Sequence, residues 1–247
     1  MKYDFKMQDS GSIRNPVRPK YDNHRFRVRV FDTFRKILGG HRETRLIEAL
    51  ENAIKATKLS NLKVLDFGTG SMFVVSELHR RGVIDSYCGI DTYPIDELPD
   101  EEVGENRAYI QIETPEDLLK LTHFNLSIAS DALHHVNWHD IPIVLDHLGT
   151  ITKFIVVKDC FEHGFITRQL LRLSDWFGNS AYDVNIPERY FTPSYWESLL
   201  MDLGMKEVHR WSNVKIHNGI FGILLPSRCH FVSIVCKYNK VSESLDC

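Results

Sequence analysis

The residues best suited to binding chemistry form a short glycine-containing stretch, Val64-Leu65-Asp66-Phe67-Gly68-Thr69-Gly70-Ser71. The apolar run that ends at Phe67 predicts a buried strand, and the apolar spacing from Met72 onward predicts a helix. Glycine permits positive φ in the tight turn between them and lets a ligand come close to the backbone. The stretch therefore predicts a strand, a loop and a helix that together hold a polar ligand.

A second chemical group stands at the end of the next apolar run. Ser86 to Ile90 predicts a strand, and Asp91 follows it, 21 residues after Gly70. In doubly wound α/β proteins, an acidic residue at this point accepts hydrogen bonds from the hydroxyls of an adenosine ribose. Dinucleotides and S-adenosylmethionine are therefore the leading ligands. A dinucleotide loop needs a third glycine at the position of Phe73, so a nicotinamide-dependent dehydrogenase is the weakest of the candidate functions.

The glycine stretch resembles motif I of the class I S-adenosylmethionine-dependent methyltransferases, which has the pattern acidic-x-Gly-x-Gly-x-Gly. It departs from that pattern at the third glycine, where this chain has Met72. A second segment, Ser130-Asp131-Ala132-Leu133-His134-His135-Val136, is similar to the Asp-x-Leu-His-His segment of many type 11 methyltransferases. That group includes enzymes that methylate carbon, nitrogen or oxygen atoms of small molecules.

Further segments extend the resemblance over roughly residues 24–235. The run from Asp175 to Asn179, the stretch from Pro187 to Tyr190 and the pair Tyr195-Trp196 are similar to a bacterial methyltransferase subgroup with an Asp-Trp-x-Gly-Asn segment after strand five. The resemblance implies a doubly wound α/β fold with a seven-stranded, mostly parallel sheet, known as the Rossmann-like methyltransferase fold. It also implies an N-terminal helical extension, a helical insertion after strand five, S-adenosyl-L-methionine as cofactor and methyl transfer as the activity.

The resemblance assigns roles in cofactor binding to individual residues. Gly68 to Gly70 would lie along the methionine part, Asp66 would order the loop or reach the ammonium group through water, and Asp91 would bind the ribose. A polar residue just after strand three would bind adenine, although Thr114 could also cap the helix that follows it. The complete predicted set is Asp66, Gly68, Thr69, Gly70, Asp91, Thr92, Glu113, Thr114 and Ser130.

Two histidines are candidate bases, and no metal site is predicted. A hydroxyl acceptor needs a base, for which His135 and His163 are the candidates, whereas a neutral amine needs only desolvation. Adjacent residues project in different directions, so we expect His134 and His135 to orient the loop rather than share a metal. Asp159-Cys160 stands where metal-dependent catechol methyltransferases have Asp-Asn, which argues against magnesium.

Residues 160–192 interrupt the sheet pattern and form the predicted substrate-side insertion. An aromatic-rich insertion at the carboxyl ends of the strands is where a substrate pocket is expected. We assign Trp176 and Tyr190 to that pocket and interpret Leu170 and Leu173 as core residues of a helix. The predicted acceptor is a lipid-like or aromatic small molecule.

Apolar periodicity, glycines and prolines predict the remaining elements. Helices are predicted over 24–38, 42–58, 72–81, 115–121, 140–151 and 194–203, and strands over 62–67, 86–90, 107–112, 125–130, 154–158, 206–214 and 229–238. The last two strands should form an antiparallel hairpin at one edge of the sheet. Residues 1–23 are predicted to be a flexible or docking arm and 24–247 a single methyltransferase domain, in which 24–60 could close over the cofactor as a helical lid.

The composition indicates in which cellular compartment the protein is expected. The chain has 247 residues, of which 43% are hydrophobic and 26% charged, as in ordinary globular proteins. No apolar run reaches the roughly 18–20 residues of a membrane span. The polar N-terminus and the absence of a Cys-x-x-Cys pair among five cysteines favour a cytoplasmic protein. A homo-oligomer is left open.

The charge is unevenly distributed along the chain. Residues 1–45 carry 12 basic against 5 acidic residues, or +7, while the remainder carries 18 against 28, or −10. An RNA-modifying methyltransferase that uses the basic arm is therefore one alternative. We nevertheless expect no nucleic acid partner, because the arm can lie on the acidic body and lacks interleaved aromatic residues. A non-catalytic protein that binds S-adenosylmethionine is the other alternative, and Met72 is the residue that suggests it.

Overall fold

The protein is represented by a computed structural model that describes residues 42–92, 107–122, 124–179 and 186–238. Within these ranges, seven strands form one sheet in the order β3-β2-β1-β4-β5-β7-β6. Neighbours from β3 to β5 are parallel, and β7 is antiparallel to both of its neighbours. The strands are β1 Lys63–Phe67, β2 Ser86–Asp91, β3 Arg107–Gln111, β4 Leu126–Ser130, β5 Phe154–Cys160, β6 Met205–Ser212 and β7 His230–Lys237.

Helices cover both faces of this sheet. They are α1 Arg42–Ala56, α2 Phe73–Arg80, α3 Ile141–Ile151, α4 Phe165–Asn179, α5 Pro193–Asp202 and α6 Gly219–Leu224, with short 3-10 helices at Pro115–Lys120, Leu133–His135 and Ser227–Cys229. The predicted arm 1–23 and the predicted helix 24–38 lie outside the described residues. None of the helices in the described ranges is long and apolar enough to cross a lipid bilayer.

Two apolar clusters account for the layered arrangement. Successive side chains of a strand point to opposite faces, so Val64 and Leu65 of β1 enter different clusters. The cluster on one face joins the strands to α3 and α5, and the other joins them to α1 and α2. Because the central strands are buried on both faces, they read as continuous apolar runs, and the predicted doubly wound seven-stranded fold is confirmed.

Element boundaries differ from the prediction where a distant partner or a local cap decides them. β5 continues two residues past its predicted end, because Asp159 and Cys160 pair with Phe231 and His230 of β7. The helix predicted over 115–121 is a 3-10 helix, whose start is fixed by the Asp117 carboxylate. The predicted hairpin of the last two strands is confirmed, and α6 lies within its long connection.

Candidate cofactor and acceptor site

The glycine loop is tied to the carboxyl end of β2. The amide nitrogens of Gly68 and Thr69 both donate to the carbonyl oxygen of Ile90, at 2.9 and 3.1 Å. Gly68 has φ +68°, and a Cβ there would lie 2.5 Å from the Cβ of Ala132 in the loop after β4. Gly70 has φ +53°, and a Cβ there would meet no atom of the described residues within 4 Å. The backbone at Gly70 therefore borders open space that a ligand can occupy.

Asp91 joins the end of β2 to this loop. Its Oδ2 accepts a hydrogen bond from the Gly70 amide at 3.0 Å, and its Oδ1 accepts one from the Thr92 amide at 2.7 Å. The Thr92 carbonyl in turn accepts a hydrogen bond from Gln111 Nε2 of β3 at 3.1 Å. The structure thus brings together three of the predicted cofactor residues, Gly70, Asp91 and Thr92, at one edge of the sheet.

Asp66 is a buried carboxyl that contacts the loop directly. Its Oδ2 accepts a hydrogen bond from Thr69 Oγ1 at 2.6 Å. Burial raises the pKa of Asp66 to about 7, the Thr69 hydrogen bond opposes that rise, and the nearby Asp91 charge adds to it. Of the two predicted roles for Asp66, ordering the loop is the one for which the structure shows a contact.

Met72 occupies the position of the third motif glycine without entering the ligand space. It has φ +59°, immediately before the first residue of α2, and its side chain is fully buried in the cluster that includes α1 and α2. A residue with a Cβ is strained in this left-handed region by about 1–2 kcal/mol. The departure from the motif therefore affects the backbone energy of the loop, and the side chain leaves the space beside Gly70 open.

The remaining predicted cofactor residues lie after β3 and β4. The amides of Glu113 and Thr114 both donate to the Asp117 carboxylate at 3.0 Å, so Asp117 provides the cap at this 3-10 helix. The Ile112 amide donates to the carbonyl of Asp91, which places this segment beside the glycine loop. The Oγ of Ser130 at the end of β4 is buried and has no hydrogen-bond partner in the part of the chain that the structure describes.

An ion-paired cluster that the sequence analysis missed lies beyond the ends of β4 and β5. Asp131, which has φ +51°, pairs with Lys158 and also with Arg42 Nη2 at 3.2 Å. Burial alone would raise the pKa of Asp131, but the Lys158 and Arg42 charges hold it well below its usual range. Burial likewise disfavours the charged form of Lys158, and Asp131 reverses that effect and raises its pKa. A lysine inside the apolar run of β5 was the available signal.

His134 is the centre of a second buried polar cluster. Its Nδ1 lies 2.6 Å from Asp159 Oδ1, and its Nε2 lies 3.5 Å from Asp175 Oδ2 on α4. Asp175 also accepts a hydrogen bond from the Tyr190 hydroxyl. Burial by itself lowers the pKa of His134, but the two carboxylates outweigh it and raise the pKa to about 10. This cluster links the loop after β4, the end of β5 and the insertion helix.

The two candidate bases lie in different environments. His135 is half-buried, and its ring packs on that of His134 with centroids 4.2 Å apart. The expectation that these two side chains diverge is wrong, because both belong to one 3-10 turn in which the rings pack together. His163 is exposed, and its Nε2 lies 2.8 Å from the carbonyl oxygen of Arg228. Catalysis by either histidine stays a prediction.

The insertion helix α4 carries an exposed apolar stripe. Phe165 and Ile166 are more than 70% exposed, Leu173 48% and Trp176 44%. The interpretation of Leu173 as a core residue is therefore wrong, since the inward side of α4 is formed by Leu171 instead. Leu170 is half-buried and packs on the same small cluster as Leu171. Tyr190, predicted for the substrate pocket, is 2% exposed, and its hydroxyl donates a hydrogen bond to Asp175 of the His134 cluster.

A cleft of about 620 Å³ is bordered by the segment that follows the 3-10 turn of His134 and His135. In its wall, the Arg189 guanidinium lies 4.3 Å from the ring centroid of Trp138. Arg168 of α4 pairs with the buried Glu162 on another side. The lining residues are Asn137, Trp138, His139, Asp140, Arg168, Glu188 and Arg189.

The sheet order, the glycine loop and the acid at the end of β2 define a class I S-adenosylmethionine-dependent methyltransferase. A family model described as a methyltransferase domain matches residues 38–209, which is more than half of the chain, and the chain belongs to that family. S-adenosylmethionine is the cofactor of this enzyme. A search of curated protein sequences finds no match.

Solved structures of other methyltransferases share the fold at low sequence identity. Magnesium protoporphyrin IX methyltransferase from Synechocystis PCC 6803, with bound S-adenosylhomocysteine (SAH), is 13% identical, with a TM-score of 0.55 over 87% of this chain and 95% of that one. A SAM-dependent methyltransferase from Archaeoglobus fulgidus is 15% identical, with a TM-score of 0.56 over 84% and 99%. The plantazolicin methyltransferase BamL, in complex with a triazolic desmethylPZN analog and SAH, is 12% identical, with a TM-score of 0.58 over 88% and 91%.

The residues present fit this cofactor. The backbone beside Gly70 borders open space, the Asp91 carboxylate stands next to it, and the Ser130 hydroxyl at the end of β4 is buried without a partner among the described residues. A buried hydroxyl without a partner costs free energy that a ligand hydrogen bond can recover.

Proposed function

We propose that this enzyme methylates a small molecule with a lipid-like or aromatic body. The observation that carries the proposal is the exposed apolar stripe of α4. This helix begins five residues after the carboxyl end of β5, at the sheet edge where the glycine loop also lies. Isolated apolar side chains are common on surfaces, but several exposed together on one helix form a patch of the kind that marks a binding site.

The names of two structural neighbours agree with a small-molecule acceptor. One is a magnesium protoporphyrin IX methyltransferase and another a plantazolicin methyltransferase. Their likeness to this chain establishes the fold, and the acceptor class follows here from the surface of α4 rather than from those names.

The proposed roles of the chain are to bind, orient and exclude water. The cofactor supplies a methyl group that is already electrophilic because it is attached to a sulfonium. The Gly68 to Gly70 backbone would hold the methionine part, Asp91 the ribose, and the Glu113 and Thr114 segment the adenine. Apolar residues of α4 would hold the acceptor in line with the methyl group. Orientation of this kind can lower a barrier by roughly 7–11 kcal/mol.

A screen of acceptors with and without the stripe tests the proposal. Apolar and aromatic hydroxyl or amine compounds would be assayed by transfer of a radiolabelled methyl group from S-adenosylmethionine. For the best acceptor, Leu173→Ser should lower kcat/KM by about 10-fold or more, because a leucine contact contributes roughly 1.5–3 kcal/mol. Met201→Ser is the matched control, since Met201 is 72% exposed on α5. Equal activity in both variants would refute the role of α4.

A further inference from the structure

Three side chains beyond the carboxyl ends of β4 and β5 are arranged as metal ligands. His134, His135 and Asp175 each offer one ligand atom, and these atoms all lie within 4.8 Å of one another. The two histidines come from the 3-10 turn after β4, and Asp175 comes from the insertion helix α4. Two imidazoles and a carboxylate from separate elements are a ligand set that divalent transition metals use.

The environment of His134 is suited to a ligand at Nε2, the ring nitrogen that does not face Asp159. A carboxylate can only accept a hydrogen bond, so Asp159 Oδ1 at 2.6 Å fixes the proton of the imidazole on Nδ1. Because the two carboxylates raise the pKa of the ring, Nε2 also carries a proton in the metal-free protein, and a metal ion would displace that proton. Nε2 is buried and has no hydrogen-bond partner in the described part of the chain. The 3.5 Å separation from Asp175 Oδ2 is longer than a good hydrogen bond. Metal-binding histidines are oriented by a carboxylate in this manner.

Two carboxylates, Asp159 and Asp175, lie on either side of the His134 ring. Asp131 is already paired with Lys158 and Arg42. Asp159 is fully buried, and one of its oxygens, Oδ2, also has no hydrogen-bond partner among the described residues. A single charge on His134 offsets only one of these two carboxylates, whereas a divalent ion that replaces the Nε2 proton would balance both. The hydrogen bond from Tyr190 would hold Asp175 in place.

We propose that His134, His135 and Asp175 bind a divalent transition-metal ion of the zinc, manganese or iron class, with Asp159 and Tyr190 orienting two of the ligands. Magnesium is disfavoured because it prefers oxygen ligands. Three protein ligands leave coordination positions open to water or to an acceptor hydroxyl, as in catalytic metal sites. His135 is thereby a metal ligand and replaces its predicted role as a base.

The function of the ion rests on the proposed methyl transfer, whereas its binding does not. A cation lowers the pKa of a hydroxyl that it coordinates. The acceptor would release its proton to solvent, and its oxygen would bond the methyl carbon as the bond from carbon to sulfur breaks. The products are the methylated acceptor and S-adenosylhomocysteine.

Metal titration of the full-length protein tests the site. Protein freed of metal with a chelator would be titrated with Co²⁺ while its visible absorption is followed, and then with Zn²⁺ in a calorimeter. One equivalent should bind with micromolar or tighter affinity. His135→Gln and Asp175→Asn should each weaken that binding at least 100-fold, and Asp159→Asn should weaken it 10–100-fold.

His163→Gln is the matched control, because His163 is exposed and bonds to the Arg228 carbonyl, and it should bind metal as the parent does. Titration of every variant with SAH shows that the protein is folded and reports on the methyltransferase site separately. Retained SAH binding with no bound metal in the parent would overturn the metal site alone. Equal metal affinity in the parent and in His135→Gln would overturn it as well.

Discussion

Asp91 holds both the loop and, in our assignment, the ribose. Replacement by Ala removes the acceptor for the Gly70 amide as well as the contacts to the ribose hydroxyls. Hydrogen bonds to a charged group contribute roughly 1.5–3 kcal/mol, so the Kd for SAH should rise at least about 10-fold in calorimetry. Asp146→Ala, which removes a carboxylate paired with Lys237, is the control. Unchanged affinity in Asp91→Ala would remove the ribose assignment.

Substitution of Met72 by glycine tests whether the absence of the third motif glycine affects cofactor affinity or the stability of the fold. Met72→Gly relieves the left-handed strain but deletes a fully buried side chain, and burial losses of this kind amount to about 2–5 kcal/mol. We therefore expect a lower free energy of unfolding in urea and an unchanged Kd for SAH. A marked gain in SAH affinity would show instead that the side chain obstructs the cofactor.

Asp66 should make stability depend on pH. Its pKa is about 7 in the folded protein against an ordinary value of 3.8, so the folded state holds this proton more tightly. The contribution of this carboxyl to the free energy of unfolding is complete below pH 3.8, and it is lost as the pH rises to about 7. Thr69, Asp91 and Cys88 are the groups that face or interact with this carboxyl.

The measurement for Asp66 is a comparison of unfolding free energies between the parent and Asp66→Asn. Each pH unit within the window contributes at most about 1.4 kcal/mol, so the parent should lose on the order of 2 kcal/mol relative to the variant between pH 5 and 7. Above that window the difference should become constant. A difference that does not change from pH 5 to 7 would contradict the raised pKa.

At the scale of elements, the loop after β1 and the loop after β4 are in direct contact. Gly68→Ala would place a Cβ 2.5 Å from that of Ala132, so the two loops would have to separate. Gly204→Ala is a matched control, because Gly204 has a similar φ of +59° but, in the part of the chain that the structure describes, no atom within 4 Å of the added Cβ. Both variants should lose about 1 kcal/mol of stability through their positive φ. SAH binding should fall only in Gly68→Ala, and an equal effect on both would contradict the contact.

Local patterns were sufficient to predict the elements that hold the cofactor. The strand, glycine loop and helix around Gly68, and the acid after β2, follow from residues close together in the chain. The ion pair between Arg42 and Asp131 joins residues 89 apart, and His134 meets Asp159 and Asp175 only after folding. Such contacts depend on which strand ends lie side by side, which periodicity does not encode. Leu173 was misassigned for the same reason, because an apolar stripe on a helix can face a ligand as well as the core.

At the scale of the whole molecule, part of the basic N-terminal segment docks on the body. Arg42 pairs with Asp131, and Arg45 donates to Asn218 Oδ1 at 2.5 Å, so the first turn of α1 lies against the loops at the carboxyl ends of the strands. Of these two residues, Arg42 meets an acidic group of the body and Arg45 a neutral one, and the expectation that the basic segment lies on the acidic body stays a prediction. The first 41 residues lie outside the described ranges, and the helical lid stays a prediction.

A thermal shift of the whole protein distinguishes the two adenosine-containing ligand classes. A ligand at 100 times its Kd stabilises the folded state by about 2.7 kcal/mol, and for a domain of this size each kcal/mol raises Tm by roughly 2–4 °C. SAH should therefore raise Tm by about 5–10 °C. NAD should leave Tm unchanged, because Phe73 stands where a dinucleotide loop has its third glycine and begins α2. An equal shift with NAD would restore the dehydrogenase interpretation. A shift with neither ligand would mean that a partner chain or the residues outside the described ranges must complete the site.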